Sequence, residues 1–271
     1  MKFLSRLLKR QERRGPIAIE GRRVFAIGDI HGCHDLLCGL IDGIQADKQP
    51  GEPDPLLIFL GDYVDRGPDS SGVIERLIQL RVDQPGCRFL SGNHEEAMLR
   101  FLKDFEGGLI WSTYGGKATM RSYGVEPPAN DDDVEAWREA HALFCAAVPE
   151  THLRFLRGLE DTIELGDYFF VHAGVRPDRP LSEQSTRDLR WIREPFLSDT
   201  RRLEKVIVHG HTPGREPHSD DRRIGVDTWA YNTGVLTAVE LDGDGRGFIQ
   251  ARREADGTVT VGFEDLDEDA A

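Results

Sequence analysis

The stretch Gly61-Asp62-Tyr63-Val64-Asp65-Arg66-Gly67 decides the fold. It follows the apolar run LLIFL at 56–60 and precedes Pro68, a helix-start residue. It therefore reads as the loop leaving a buried strand, the place where open α/β sheets bind ligands. Two carboxylates and a guanidinium packed against a buried strand are costly unless paired or metal-bound. Glycines at both ends let the backbone turn tightly. Alone, the stretch also reads as a polar turn with a local Asp65–Arg66 ion pair.

Four other stretches repeat the pattern: Gly28-Asp29-Ile30-His31-Gly32, Gly92-Asn93-His94-Glu95, Val171-His172-Ala173-Gly174 and Gly210-His211-Thr212-Pro213. Each ends an apolar run: VFAI, CRFL, YFFV and VIV. If those strands share one sheet edge, the polar side chains converge.

Around these loops the chain alternates strand and helix. Helical spacing marks 34–46 and 69–82, giving β-α-β-α-β and a layered α/β domain. Ile17 to Val24 reads as a hairpin about Glu20-Gly21 feeding the first central strand. After Glu95 the pattern turns helical, at 95–106, 132–147 and 149–157, with a loop at 111–116. Residues 96–161 are thus expected to form a helical insertion capping the site. Strand signals return at 162–165, 168–172, 205–209, 235–241, 247–252 and 258–263, the last three as a meander. The expected division is a basic N-terminal segment (1–16), one domain (17–263) and an acidic tail (264–271).

The 271 residues suit one large domain, and 39% hydrophobic with 30% charged residues is ordinary for a soluble protein. A net charge of −14 argues against a nucleic-acid-binding surface. An anionic substrate then needs a local positive site, which bound metal supplies. The four cysteines form no C-x-x-C pair, so a thiolate zinc site is not expected. Cys87 and Cys145 look like small core residues. No run approaches the roughly 20 apolar residues of a membrane span, and a cytoplasmic location is expected. The basic amphipathic segment at 1–14 reads as a solvated terminus, without stable membrane insertion. Oligomeric state is not legible.

Asp29 and His31 are two apart, and on an extended chain such side chains point the same way. With Asp62 they suit one ion; Asn93, His172 and His211 suit a second, with Asp62 bridging. Mixed N and O ligands without thiolate fit Mn, Fe or Zn better than Ca, and Mn is the expected pair. Two such metals activate a bridging water for in-line displacement at phosphorus. Arg66 adds a donor fork for phosphate. His94 can protonate the leaving oxygen, with Asp65 orienting its ring.

GDIHG, GDYVDRG and GNHE, in this order and spacing, resemble the calcineurin-like metallophosphoesterase superfamily, in its phosphoprotein phosphatase branch of bacterial type. The resemblance implies a two-sheet β-sandwich flanked by helices, with a dinuclear site at the strand ends. It also implies the six ligands above, His94 as proton donor, Asp65 as its partner, and two phosphate-binding arginines beside Asn93. The second arginine is expected to be Arg193, with Arg176 as rival. Pro213 stands where wider relatives carry a last metal-binding His, so His209 is expected to be a neighbour rather than a ligand. Asp227 to Gly234 (DTWAYNTG) replaces the SAPNYC-like stretch of eukaryotic protein phosphatases.

The leading expectation is a phosphatase acting on phosphoserine or phosphothreonine in proteins through a metal-bridging hydroxide. An alternative is a symmetrical dinucleoside polyphosphate hydrolase whose bases stack on Trp111, Tyr114, Tyr123 and Trp137. A further alternative is a metal-binding scaffold without catalysis.

Overall fold

Val24–Ile27 (β1) is apolar at all four positions, and all four are buried. A strand hidden on both faces needs cover on both. Phe25 and Ile27 face a core shared with helices, whereas Val24 and Ala26 face a core shared with a second sheet. The computed structural model describes residues 16–19 and 21–265 and shows that cover.

Helix α1 (His34–Ala46) buries Leu36, Leu37, Leu40, Ile41 and Ile44, the stripe expected from their spacing. Strand β2 (Leu56–Phe59) lies parallel to β1. Helix α2 (Ser70–Asp83) is capped by Asp69, whose carboxylate accepts from the Gly72 N–H at 2.8 Å. Strand β3 (Arg88–Phe89) is only two residues long. A stretch whose only regular elements are helical follows: α3 (Asn93–Lys103), α4 (Phe105–Gly108), a 3₁₀ turn at Leu109–Tyr114, α5 (Gly116–Ser122), α6 (Val134–Ala147) and α7 (Glu150–Arg157). The loop expected at 111–116 is thus helical for most of its length.

The second sheet takes β4 (Thr162–Leu165), β5 (Tyr168–Val171), β6 (Val206–His209), β7 (His218–Ser219) and β8 (Arg223–Gly225), with α8 (Thr186–Trp191) between β5 and β6. After a short helix α9 (Ala230–Thr233), β9 (Val235–Asp242), β10 (Gly245–Arg253) and β11 (Val259–Asp265) return as the expected meander. The first sheet runs β11-β10-β9-β1-β2-β3 and the second β4-β5-β6-β8-β7. Alternate strand residues build three cores: helix on sheet, sheet on sheet, and sheet on the α8 side. The architecture is the α/β/β/α sandwich expected of the family resembled.

Three expectations need correction. Ile17 to Ile19 form no strand; instead Ile17 exchanges hydrogen bonds with Asp167, so no hairpin precedes β1, and Glu20 lies outside the described residues. Strands β7 and β8 were not expected, because β8 holds a single apolar residue, Ile224. Cys145 is half-buried, with its thiol against His141, rather than a core residue; Cys87 is buried. The basic segment at 1–15 and the tail at 266–271 lie outside the described residues. Among the described residues no helix is long and apolar enough to cross a membrane.

Candidate active site

The parallel strands β1 and β2 deliver their loops side by side. Ile30 and His31 both donate backbone N–H groups to the Asp62 carbonyl, at 3.1 and 2.9 Å, and Gly32 donates to the Tyr63 carbonyl at 2.9 Å. The first loop is therefore strapped onto the second. This requires left-handed backbone at residues with side chains. Among the described residues, six that are not glycine have positive φ: His31, Asp62, Asp65, Arg66, His211 and Trp229. Each costs on the order of 1–3 kcal/mol and persists only where its surroundings enforce it. His31 thus sits on a turn, at φ 46°, and not on the extended chain expected for the Asp29–His31 pair.

Asp62 is the hub. Its Oδ1 lies 3.4 Å from His172 Nε2, and its Oδ2 lies 3.6 Å from His31 Nε2 and 3.8 Å from His94 Nε2. A Cβ on Gly92 would stand 2.1 Å from Asp62 Oδ1, so only glycine admits the carboxylate there. The first turn of α3 adds the His94 N–H, which donates to Oδ1 at 3.1 Å.

The imidazoles around Asp62 fall into two kinds. His31 Nδ1 donates to the Val64 carbonyl and His172 Nδ1 to the Leu60 carbonyl, both at 2.8 Å. A carbonyl only accepts, so these nitrogens carry the hydrogen and each neutral ring turns its Nε2 lone pair inward. Burial holds the rings neutral. It pushes His31 down to about 3 and His211 to about 2, and it lowers His172. His94 behaves oppositely. Burial alone would lower it, but Asp62 and the 2.6 Å bond from Nδ1 to Asp65 Oδ2 outweigh that and raise it. Asp65 is fixed in turn by Trp111 Nε1 at 2.8 Å and by the Thr119 hydroxyl at 2.6 Å.

The inward lone pairs test the fit of a metal. His172 Nε2 stands 3.0 Å from Asn93 Oδ1, two acceptors facing one another beside a carboxylate. The buried His211 Nε2 has no hydrogen-bond partner. The groups His31–Asp62–His94 and Asp62–His172–His211 each bring their ligand atoms within 4.8 Å of one another. His94 apart, which carries its proton, these are acceptors converging without hydrogens between them, the chemistry of a cation site, so the residues fit divalent metal. Asp29 lies outside both close groups, yet it lines the same cleft and accepts the His211 N–H at 3.1 Å. Burial, then Asp227 and Asp62, raises the Asp29 carboxyl well above its ordinary value.

Two carboxylates at the site escaped the sequence reading. Glu95 is buried and accepts four backbone N–H groups, from Asp62, Tyr63, Val64 and Gly92, tying the second and third loops together. Burial and Asp62 push it up to about 7. GNHE displayed this glutamate openly, but its purpose appears only with the loops folded. Asp227, just beyond β8, accepts the Trp229 N–H at 2.9 Å, and burial pushes it up to about 6.

The cleft above the hub measures about 160 Å³ and admits Arg66, Asn93, His94, Tyr114, Trp191 and Arg193 beside the acidic floor. Arg193 makes no ion pair with Glu194; its Nη2 donates to the His211 carbonyl at 3.2 Å. Arg176 is occupied by a bidentate surface pair with Asp178 and does not line the cleft. His209 bonds to Gly210 and Arg223 and joins neither metal-type group. Of the aromatics expected to stack bases, Trp111 and Trp137 are core, and Tyr123 is half-buried on His152. Only Tyr114 reaches the cleft.

A family model for calcineurin-like phosphoesterases matches residues 22–239. The asymmetrical bis(5'-nucleosyl)-tetraphosphatase PrpE of Bacillus velezensis is 28% identical over 230 residues, covering 78% of this chain and 86% of its own. A solved structure provisionally assigned as a diadenosine tetraphosphatase is 21% identical, with a TM-score of 0.59 over 93% of this chain and 99% of that one. A serine/threonine phosphatase from Saccharomyces cerevisiae superposes with a TM-score of 0.55 at 15% identity, over 98% of this chain and 88% of its own. The two structural likenesses concern the fold.

Proposed function

The chain belongs to the calcineurin-like phosphoesterase family, and from that premise we propose that it hydrolyses dinucleoside polyphosphates, cutting diadenosine tetraphosphate asymmetrically. The chemistry rests on one observation: a buried carboxylate, Asp62, ringed by imidazole lone pairs beneath two cleft-facing arginines. The substrate rests on PrpE-like relatives that share over three quarters of the chain. Their name specifies asymmetrical cleavage, where the motif resemblance alone suggested symmetrical. Phosphoserine and phosphothreonine become the second reading.

Asp29, His31 and Asp62 would hold one divalent cation, and Asp62, Asn93, His172 and His211 the other. When bound, the cations supply Lewis-acid charge opposite the phosphate and make water a better nucleophile. Arg66 and Arg193, with Asn93 below them, orient the polyphosphate by charge-assisted hydrogen bonds. His94 holds a proton on Nε2 and delivers it to the leaving oxygen, while Asp65, clamped by Trp111 and Thr119, fixes the ring. Glu95 keeps the second and third loops in register. It touches backbone rather than substrate and acts as a positioning residue.

The test is product analysis with Mn²⁺. Diadenosine tetraphosphate should give ATP and AMP, faster than a phosphoserine peptide releases phosphate. Faster turnover of the peptide would reverse the order of the two readings. Two ADP molecules per cleavage would keep the substrate and overturn the asymmetry.

A further inference from the structure

Trp229 combines three features that nothing in the reaction above uses. Its backbone is left-handed, at φ 62° and ψ 46°, a region a bulky residue enters only at a cost. The residue is 37% exposed, unusual for a tryptophan held at such a cost. It also stands beside the cleft wall, joined through Tyr231 to Arg66, which lines the cleft. Its Nε1 donates to the Tyr231 hydroxyl, which in turn accepts from Arg66 Nη1 at 3.2 Å. Two ring contacts lead outward from the floor: His31 to Tyr231 at 5.3 Å, then Tyr231 to Trp229 at 6.1 Å.

The backbone at this position donates its N–H to Asp227 at 2.9 Å and accepts at its carbonyl from the Asn232 and Thr233 N–H groups at 2.8 and 2.9 Å, all of which glycine would provide without strain. What tryptophan adds is an aromatic face. The indole reaches Tyr231 through Nε1–H, which lies in the ring plane, so this contact is made along the indole's edge and leaves its large faces out of it. Tyr231 joins floor to indole, and on it the guanidinium of Arg66, part of the cleft wall, stacks 5.0 Å from the ring centroid. A ligand running outward from the hub therefore meets acceptors fit for cations, then a guanidinium, then an exposed aromatic plane. That order suits phosphate followed by a nucleobase.

We propose that Trp229 is the specificity-determining residue of this cleft: its indole is the platform on which one base of a dinucleoside polyphosphate stacks, while Arg66 holds the phosphate chain. The inference rests on the dinucleotide reading and names the group that distinguishes such a substrate from a phosphopeptide.

The experiment compares wild type with Trp229→Gly and Trp229→Phe. Glycine relieves the left-handed backbone, so that variant folds with a thermal midpoint at or above wild type. Its KM for diadenosine tetraphosphate, divided by its KM for inorganic tetraphosphate, should rise about ten-fold. Phenylalanine keeps a stacking face and should hold that ratio within about two-fold of wild type. Independently of turnover, adenosine added to the metal-free protein should quench tryptophan fluorescence in wild type, and the quench should vanish in both variants. If wild type cleaves diadenosine tetraphosphate but the ratio is the same in all three proteins, the platform is wrong and the dinucleotide reading survives. If wild type leaves diadenosine tetraphosphate intact, both fall together.

Discussion

The floor and the rim of the cleft are built on opposite plans. On the floor, Asp62, His31, Asn93, His172 and His211 are buried; backbone carbonyls pin the rings of His31 and His172, the His94 N–H holds Asp62, and the Asp29 carboxylate holds the His211 N–H. On the rim, Arg66, Arg193 and Trp229 are exposed and held by one or two bonds apiece. A floor of that kind costs strain and desolvation in advance, so it can serve only chemistry that repeats unchanged. A rim of that kind can be exchanged residue by residue without disturbing what lies below. The contrast predicts that floor substitutions abolish function and rim substitutions redistribute it.

The largest effect belongs to the hub. Asp62→Asn should lose divalent metal, measured by calorimetry, and lower hydrolysis by more than about 10³-fold on every phosphoester. The fold should survive, since His31, His172 and His211 are already neutral and Asp65 still supports the charge on His94. If the variant binds metal and turns over normally, the floor is not a cation site and the contrast with the rim collapses.

His94 marks the boundary between the two plans, buried yet proton-loaded. Its replacement by Asn should keep metal and cost about 10²–10⁴-fold in kcat. The loss should be greater for a phosphoserine peptide, whose alkoxide leaves poorly, than for diadenosine tetraphosphate, whose leaving group is itself a phosphate. The pH profile carries a sign. His94 must be protonated to act, so activity falls as pH rises through its raised pKa. Asp65→Asn removes one of the two carboxylates that raise it, and the alkaline limb should move to lower pH. An unmoved limb would take the proton away from His94.

The same contrast governs what the sequence could disclose. The floor is legible because each residue ends an apolar strand: VFAI before Asp29, LLIFL before Asp62, VIV before the His211 loop. Burial and function leave the same local mark there. Asp227 breaks that rule only because β8 is three residues long and interrupted by Gly225, so no run announces it. Trp111 and Thr119 reach Asp65 from 46 and 54 positions away, and no local pattern records a partner at that distance. The aromatic residues of the insertion misled for a related reason: Trp111 and Trp137 look like base-stacking candidates in sequence, yet both are core. Which side of a helix faces the cleft is settled by packing, and a rim is the part of a protein that packs least.

Glu95 tests the floor from beneath. Each of its oxygens accepts two backbone N–H groups, Oε2 from Asp62 and Gly92 and Oε1 from Tyr63 and Val64. Glutamine has one acceptor oxygen, so either orientation of the amide sets its NH₂ against two buried donors. The cost should be about 2–3 kcal/mol. Thermal denaturation of Glu95→Gln should therefore begin roughly 5–10 °C earlier than in wild type. An unchanged midpoint would mean that the loops hold register without this carboxylate.

Arg193 should give the smallest effect, because it is the rim residue least committed to its place. It is exposed and makes a single bond, to the His211 carbonyl at 3.2 Å, whereas Arg66 reaches two partners and stacks on Tyr231. A phosphate bond from such a group is screened by water, and its loss should cost about 1 kcal/mol, read as roughly a five-fold rise in KM with kcat nearly preserved. Arg66→Ala should raise KM more, because the stack that preorganises its guanidinium goes with it. Steady-state kinetics of both variants on diadenosine tetraphosphate decide the ranking. If Arg193→Ala lowers kcat as severely as His94→Asn does, the guanidinium acts on the reacting phosphate rather than on the chain beyond it, and the line between floor and rim must be redrawn to include it.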